Sequence, residues 1–551
     1  MLTAGAGALR RCALVVAALL AAPLAACSPA PASPAETLQS PEGPVGIVVV
    51  TTGGTALVDG ENDVPPTLDL RVSASVRLTP ANVGADLDSA ALPLHADRDA
   101  VAASVAPMSP GSSHTLVLRV PGRDDQRIGF SVVAPGEAYA ALHVEPAAGE
   151  VLDLAFSLAP AHPADVVAAV PGGGSPRWSD PRHLRAAWGV APSSELRLPP
   201  GLLLDRGSTL AAALDLRLAP APAPGTLRTA LAASPASPPA SPLVVAFSVG
   251  TAASRASVAG HIGQLSILSP DGLTADGAGV LGGAPDAPAV AAARQAGVAV
   301  WPLVQNAGFS GSAVHQLLTT ASSEHALIAA LRGAAAAGGW QGVHLDLENV
   351  DQGDRDALTA LVSDLAAGLH GDGRKLAVAV VPHRPGHENA VNAAYDLAAI
   401  GRAADLVTLM AYEEHSAGGD PGPLSGLGWD SQILDGSAPA VGDGGRTLLG
   451  LPVYARTWTG GDSDVDAYAG AVQRALAFRG GARVDYDFVE ATPSIAPLAG
   501  GLPATYFDDA PSLARKLALA GERGLRGVAL WRLGFEDPAL WTVLPAKAAR
   551  P

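Results

Sequence analysis

The feature that most constrains the fold of this chain is a regular alternation of short apolar segments with alanine-rich segments, from about residue 243 to residue 533. The apolar segments predict strands at 243–249, 264–268, 298–304, 342–348, 376–381, 405–412, 447–454 and 527–533. Helical patterns lie between several of them, most clearly at 324–337, 354–369 and 511–523. Such alternation is typical of parallel βα units. Eight units in roughly 300 residues have the size of a TIM barrel, so we predict an α/β fold, a (β/α)8 barrel, over residues 243–547.

The interval between the seventh and eighth predicted strands is longer than one crossover helix requires. Within it, residues 482–486 alternate apolar and polar side chains, as a strand does. Asp509 is a suitable N-cap for the helix at 511–523, and Pro511 suits its first turn. We therefore predict a small α+β insertion after strand 7, at about 457–510.

The region before the barrel shows the two-residue period of β-strands. The clearest run is 68–78, where apolar residues at even positions alternate with Asp, Ser and Arg. Similar runs, separated by Gly, Pro and Asp turns, occur at 115–120, 127–133, 138–144 and 151–158. Short strands in this arrangement predict an immunoglobulin-like sandwich over residues 45–160.

The segment that connects this region to the barrel is less regular. Residues 161–218 contain β-structure, with a strand at 214–218, but their pattern does not define a domain. Residues 219–242 are rich in Pro and Ala, which predicts a linker.

The N-terminal segment has the pattern of a secretory signal. Arg10 and Arg11 precede an apolar run over 12–24, which is too short to span a membrane and ends in Leu24-Ala25-Ala26-Cys27. This ending resembles a bacterial lipobox, so we predict a signal peptide at 1–26, lipidation of Cys27, and a Pro/Ala/Ser tether at 27–44. The expected location is extracytoplasmic, lipid-anchored to the bacterial cell envelope; an ordinary signal peptide with an incidental Cys27 is the alternative.

Charge and composition exclude several classes of partner. The net charge of -17 disfavours contact with nucleic acid, whose phosphates would be repelled. The 13 histidines do not follow metal-ligand spacing, and no Gly-rich loop with a following Lys precedes a helix. We therefore expect no nucleic acid partner, no metal and no cofactor.

The fourth predicted strand carries the most informative group of polar residues. Apolar side chains there alternate with His344, Asp346 and Glu348. On a barrel strand the apolar set packs against the helices and the polar set points inward, with Glu348 at the C-terminal mouth where active sites form. Burying these groups costs several kcal/mol, roughly, unless function or pairing offsets the cost. A structural ion cluster is the alternative to an active site.

This strand resembles a motif of glycoside hydrolase family 18, Asp-Gly-x-Asp-x-Asp-x-Glu, with residues 341–348 aligned to it. The Met-Ala-Tyr-Glu segment at 410–413 resembles the sixth-strand motif of that family, and Gly-Leu-Pro-Val-Tyr-Ala-Arg at 450–456 resembles the seventh. The Trp that ends Gly-Val-Ala-Leu-Trp at 527–531 resembles the Trp of the family's last barrel strand. The resemblance covers about 243–541.

The resemblance implies a role for each matched residue. Glu348 would be the proton donor, and the substrate's own 2-acetamido carbonyl would be the nucleophile. Asp346 would orient the acetamido group, Tyr412 would hydrogen-bond its carbonyl oxygen, and Trp531 would form an apolar floor under the sugar. Other residues predicted to bind substrate are Met410, Glu413, Tyr454, Arg456 and His344.

Details of these motifs favour the branch of spore-cortex-lytic and cell-wall N-acetylglucosaminidases over plain chitinases. The cues lie at 348–350, 412–415 and 506–510. The chain also departs from the family pattern, because Gln341 and His344 occupy acidic positions of the motif and Glu413 replaces the usual Asp. His344 could hydrogen-bond Asp346 and hold it ionised, or it could be a core histidine.

The function that the resemblance implies is retaining, substrate-assisted hydrolysis of β-linked N-acetylglucosamine glycans. Peptidoglycan and chitin-like polymers both fit, as do endo and exo cleavage. Aromatic residues make up only 4% of the chain, which favours a short cleft over a long Trp-lined groove. The alternative is a non-catalytic glycan-binding envelope lipoprotein on the same barrel.

Overall fold

The computed structural model of the protein describes most of the C-terminal half of the chain and shorter stretches of the N-terminal half. The described residues are 37–40, 43–50, 57, 59, 61–64, 68–74, 77–98, 100–108, 112–120, 125–132, 136–145, 149–171, 175–188, 194–205, 208–217, 225–232, 242–442, 444–459, 462–478, 481–497, 501 and 503–546. The predicted signal peptide and Cys27 lie outside them.

The C-terminal half forms a closed barrel of parallel strands, which confirms the predicted (β/α)8 architecture. In order, the strands are Leu243–Ser248, Ile267–Pro270, the interrupted pair Ala299–Val300 and Leu303–Asn306, Gly342–Asp346, Lys375–Val380, Leu406–Leu409, Thr447–Pro452 and Gly527–Trp531. The first strand pairs with the eighth, with Leu243 opposite Gly527. The interrupted third strand pairs with the second through Ala299–Val300 and with the fourth through Leu303–Asn306.

The second strand begins later than the sequence pattern predicts. Residues Ile262–Gln264 form a 3-10 turn that continues the helix Ala252–His261, and the strand starts only at Ile267. The side-chain amide of Gln264 donates a 2.8 Å hydrogen bond to the carbonyl of Trp541, which holds this turn against the C-terminal helix. The prediction of a strand at 264–268 is therefore wrong at its start.

Helices surround the strands and bury their apolar faces on them. Their bounds are Ala252–His261, Ala287–Ala296, Gly311–Thr319, Ala321–Gly338, Arg355–Gly371, Ala390–Ala393, Leu397–Ala403, Leu427–Val441, Ala510–Glu522 and Leu540–Val543. The helix Ala510–Glu522 begins with a capping box, in which Asp509 accepts from the Ser512 amide and the Ser512 hydroxyl accepts from the Asp509 amide. Inside the barrel a separate apolar cluster, which includes Phe247 and Trp301, fills the interior.

Between the seventh and eighth barrel strands the chain forms a second, antiparallel sheet. Its strands, in spatial order, are Asp462–Asp466, Ala455–Thr459, Ala504–Phe507, Thr492–Pro497 and Ala482–Asp487. The helix Tyr468–Ala477 accompanies the sheet. The strand predicted at 482–486 corresponds to Ala482–Asp487.

The first β-region contains two five-stranded sheets. One is built, in spatial order, from Thr37–Ser40, Gly43–Val50, Leu68–Ala74, Ala100–Val105 and His95–Asp97. The other is built from Glu61–Val64, Gln126–Val132, Ser113–Arg119, Gly84–Leu87 and Ala90–Ala91. Strand Thr37–Ser40 lies within the predicted tether at 27–44, which is therefore wrong over these residues, because they pair with Gly43–Val50.

A second β-region follows, and its boundaries differ from the prediction. Its sheet has the order Arg177–Asp180, His183–Trp188, Gly149–Phe156, Ala138–Glu145 and Leu227–Ala232, with a separate pair, Glu195–Leu198 and Leu214–Arg217. The strands at 138–156 thus lie outside the two sheets of the first region. Leu227–Ala232 lies in the predicted linker at 219–242, which is wrong here because this strand pairs along Ala138–Glu145.

The second β-region packs directly on the barrel half of the chain. The Tyr139 hydroxyl donates a 2.5 Å hydrogen bond to Asp509, and the Tyr139 and Tyr486 rings stack with centroids 4.3 Å apart. Arg515 pairs with Glu137 at the same interface. Among the helices of the described residues, none combines the length and the apolar character needed to cross a membrane.

Candidate active site

A cavity of about 560 Å³ opens at the C-terminal mouth of the barrel. Seven of the residues that the sequence singles out contribute to its lining, namely Asp346, Glu348, Met410, Tyr412, Glu413, Tyr454 and Trp531. They come from the ends of the fourth, sixth, seventh and eighth strands. The predicted catalytic residues are therefore brought together in one cavity.

Glu348 is fixed through its main chain just beyond the fourth strand. Its amide donates to Asn306 Oδ1 at 2.9 Å, and Asn306 Nδ2 donates back to the Glu348 carbonyl at 3.0 Å. The Tyr395 hydroxyl donates to the carbonyl of Leu347 at 2.8 Å. These bonds hold the Glu348 side chain, which is half-buried, at the cavity. Burial and the negative charge of Glu413 raise the pKa of Glu348, which favours the protonated form that an acid catalyst needs.

Asp346 lies deeper and makes one side-chain hydrogen bond. Gln305 Nε2 donates to its Oδ2 at 2.9 Å, whereas Oδ1 is buried and has no partner among the described residues. Burial, and then the charge of Glu348, raise the pKa of Asp346 to about 7. The negative charge of Glu348 thus adds to the effect of burial and favours the protonated form of Asp346.

His344 does not contribute to the cavity, so its prediction as a substrate-binding residue is wrong. Its ring is fully buried, with Nδ1 at 3.2 Å from the Ser269 hydroxyl and Nε2 at 3.2 Å from the Thr408 hydroxyl. Burial lowers its pKa to about 3, so the ring is neutral. Both nitrogens are thus occupied away from Asp346, and His344 is a core histidine.

Tyr412 and Trp531 form the aromatic part of the lining. Burial raises the pKa of Tyr412 well above its usual value, so its hydroxyl remains a donor. Gly450 leaves room for this ring, because a Cβ at that position would lie 3.1 Å from Tyr412 Cε1 and 2.4 Å from the carbonyl oxygen of Leu409. Trp531, which precedes a cis peptide bond, packs edge-on against Phe247 with ring centroids 5.2 Å apart.

Glu413 is held by two residues of the seventh-strand motif. The Tyr454 hydroxyl donates to Glu413, and Arg456 donates to both of its carboxylate oxygens. Arg456 is buried, does not line the cavity, and also donates to the Ser463 hydroxyl at 2.8 Å. The prediction that Arg456 binds substrate is therefore corrected, because Arg456 positions Glu413 instead.

One wall of the cavity was not predicted as part of the site. It consists of the loop after the fifth strand, with Arg384 and His387, and of the helix Leu427–Val441, with Trp429. No periodic or motif signal marks these residues, since their position depends on how the loop and helix pack. Glu414 belongs to the motif detail at 412–415; its carboxylate lines the cavity and accepts from the Gly426 amide at 2.7 Å.

The arrangement suits proton transfer to a bound ligand. A half-buried acid lies beside a deeper carboxyl group with one oxygen free, and an aromatic residue borders both. Among the residues that the structure describes, no group of three or more His, Cys, Asp or Glu side chains is arranged to hold a metal ion.

Comparisons with known proteins match this half of the chain. A sequence profile described as Glycosyl hydrolases family 18 matches residues 287–536. The putative sporulation-specific glycosylase YdhD of Bacillus subtilis is 25% identical over 241 residues, covering 42% of this chain and 57% of that protein. The cortical fragment-lytic enzyme of the same species is 24% identical over 248 residues, covering 44% and 57%. The chain thus spans a little over half the length of these relatives.

A solved structure extends the match over a larger share of this chain. The chitinase from Chromobacterium violaceum ATCC 12472 is 30% identical, has a TM-score of 0.52, and is matched over 98% of its own chain and 55% of this one. The similarity therefore covers nearly all of that chitinase, and the residues matched by the family profile include Asp346 and Glu348. Together with the matched family profile, it shows that this chain belongs to glycosyl hydrolases family 18.

Proposed function

We propose that this protein is a glycoside hydrolase that cleaves β-linked N-acetylglucosamine glycans, of peptidoglycan or chitin-like type, with Glu348 as the acid. The observation that carries the proposal is the pair of carboxyl groups at the barrel mouth, in which burial and the Glu413 charge raise the pKa of Glu348 and Asp346 keeps one oxygen free. The names of the relatives, a glycosylase, a cortical fragment-lytic enzyme and a chitinase, support this substrate class.

Binding of the substrate would favour the ionised form of Asp346 and the protonated form of the acid. When an acetamido N–H donates to the free Oδ1 of Asp346, it favours the ionised form of that carboxyl group. The proton then resides on Glu348, which donates it to the leaving oxygen of the glycosidic bond. The Tyr412 hydroxyl holds the acetamido carbonyl, and Trp531 supports the apolar face of the sugar.

The acetamido carbonyl is the best-placed nucleophile in this cavity. Glu348 follows Asp346 by two residues, just beyond the end of the fourth strand, which separates them by at most about 6.6 Å along the chain, so they do not face each other across a sugar. A carboxylate nucleophile in a retaining enzyme lies about 5 to 5.5 Å from the acid, on the opposite side of the sugar. The other two carboxylates of the lining are engaged, Glu413 by Arg456 and Glu414 by the Gly426 amide.

Replacement of Glu348 tests this proposal. The Glu348→Gln variant should lose at least about hundredfold in turnover of N-acetylglucosamine oligomers or peptidoglycan, because the amide keeps the shape but cannot donate the proton. Glycan binding and the thermal unfolding midpoint should stay close to those of the parent. Full activity of the variant would rule out Glu348 as the acid. Glycan binding by the parent protein without any turnover would instead favour the alternative function, a non-catalytic glycan-binding protein.

We also propose that the protein is anchored to the bacterial envelope through a lipid on Cys27 and that the first β-region is an immunoglobulin-like sandwich. The lipobox pattern Leu24-Ala25-Ala26-Cys27 and the alternating strand Leu68–Ala74 support these two assignments. A Cys27→Ala variant should leave the membrane fraction and lose detergent partitioning. Unchanged partitioning would contradict the anchor.

A further inference from the structure

The cavity contains one cationic side chain that nothing in the proposed chemistry uses. Arg384 is the only Lys or Arg among the described residues that line the cavity, and four carboxyl groups line it as well. Within the described part of the chain, its guanidinium forms no hydrogen bond and no ion pair. Arg384 is half-buried, so its charge faces the cavity with part of its hydration removed.

The residue before Arg384 is anchored by hydrogen bonds. The neighbouring His383 donates its amide to the buried Ser437 hydroxyl at 2.8 Å, and that hydroxyl donates to the His383 carbonyl at 2.9 Å. The His383 ring contacts the Asn392 carbonyl at 2.7 Å. Gly436 allows this close packing, since a Cβ there would lie 2.7 Å from the His383 carbonyl oxygen. The anchored backbone at His383 lowers the conformational freedom that is lost when a ligand group binds Arg384.

Neither Glu413 nor Glu414 forms an ion pair with Arg384, so its guanidinium can bind a ligand. Glu413 is already bound by Arg456, and Glu414 accepts from the Gly426 amide without forming an ion pair with Arg384. Arg384 does act on Glu414 at longer range, because its charge opposes the effect of burial, which raises the pKa of Glu414 to about 7. The competing explanation is therefore that Arg384 serves only to offset the negative charge of Glu414.

We propose that Arg384 selects glycans that carry a carboxylate next to the cleaved linkage, an inference that rests on the proposed function. A guanidinium binds a carboxylate through two parallel hydrogen bonds, whereas a neutral sugar offers no matching group. Chitin-like polymers have no carboxylate. Cell-wall glycan has one on the lactyl ether of its muramic acid, free where the peptide is removed, and others on the attached peptide.

The test compares one glycan in charged and neutralised form. Peptide-free cell-wall glycan, the same glycan with its carboxylates converted to methylamides, and peptide-bearing glycan are given to the full-length protein. The variants are Arg384→Gln, Arg384→Lys and the control Arg402→Gln, which removes the same charge from an exposed site outside the cavity. For Arg384→Gln, the ratio of kcat/KM on the charged glycan to kcat/KM on the methylamide should fall by about tenfold to hundredfold.

The Arg384→Lys variant should recover part of that ratio, and Arg402→Gln should leave it unchanged. A ratio that does not change in Arg384→Gln, or that changes equally in Arg402→Gln, overturns the inference. Preference for the peptide-free or the peptide-bearing glycan identifies which carboxylate is bound. The binding affinities of the charged glycan and of the methylamide are also compared in the Glu348→Gln background, with and without Arg384→Gln. This comparison tests the inference even if the parent protein cleaves no glycan. Absence of cleavage by the parent would count against the proposed function alone.

Discussion

Gln305 lies opposite Asp346 in the register of the third and fourth barrel strands and donates a 2.9 Å hydrogen bond to its Oδ2. This bond favours the ionised form of Asp346 and opposes the effects of burial and of the Glu348 charge, which raise its pKa. His344 stands at an acidic position of the family motif, and its ring nitrogens bond Ser269 and Thr408 instead of Asp346. The side-chain amide of Gln305, on the neighbouring strand, therefore helps to set the pKa of Asp346.

Removing that amide should shift the acidic limb of the activity profile. In Gln305→Leu the pKa of Asp346 rises further, so a higher pH is needed before Asp346 ionises. The half-maximum of kcat/KM on the acidic side should move to higher pH, with kcat/KM lower by about tenfold at its optimum. An exposed control, Gln316→Leu, should keep the parent profile. A shift to lower pH would contradict this account of the pair.

Replacing Asp346 should change the dependence of stability on pH. The carboxyl group binds its proton more tightly in the folded protein, where its pKa is about 7, than in the unfolded chain. The parent should therefore lose stability as pH rises from about 4 to about 7, by on the order of a few kcal/mol. Asp346→Asn lacks this loss, so its unfolding midpoint should exceed that of the parent at pH 8 by more than at pH 4. An equal difference in unfolding midpoint at both pH values would show that burial does not raise the pKa of Asp346.

Neutralising Glu413 should act on the acid and on stability together. Its negative charge raises the pKa of Glu348, so Glu413→Gln should move the alkaline limb of kcat/KM to lower pH. The change also leaves the buried Arg456 guanidinium without its anion, which should lower the free energy of unfolding by about 1 to 3 kcal/mol. Glu522→Gln, on an exposed helix end, is the matched control. An unchanged alkaline limb would exclude this coupling.

The nucleophile can be tested through the substrate. If the acetamido carbonyl attacks, a glycan that is deacetylated at the cleaved residue should bind but be cut at least about hundredfold more slowly. A thiazoline mimic of the cyclised intermediate should inhibit competitively. Comparable cleavage of the deacetylated linkage, or a sugar trapped covalently on the protein, would rule out the substrate-assisted mechanism.

The sequence predicts the barrel and the polar strand well for physical reasons. Eight apolar strands between helices have few alternative packings, and alternation along residues 342–348 fixes which side chains point inward. Alternation does not show, however, which groups an inward side chain hydrogen-bonds. It places His344 inside the barrel but cannot show that Ser269 and Thr408 occupy both ring nitrogens.

Packing between segments that are distant in sequence accounts for the other differences. The wall with Arg384 and Trp429 forms because a loop lies against the helix Leu427–Val441, and no local period reports that contact. Similarly, Leu227–Ala232 follows a Pro-rich stretch and becomes a strand only because Ala138–Glu145 offers a free edge.

The hydrogen bond from Tyr139 to Asp509 has a consequence for how the chain unfolds. Asp509 is also the N-cap of Ala510–Glu522, so the same carboxylate that starts the last large barrel helix is bound by a strand of the second β-region. Tyr139 also covers Tyr486 in an apolar cluster shared by both parts. The barrel begins near residue 242, but these contacts couple its unfolding to that of the second β-region. A chain cut at this point would lose the hydrogen bond from Tyr139 to the N-cap Asp509 and would expose part of the shared apolar cluster.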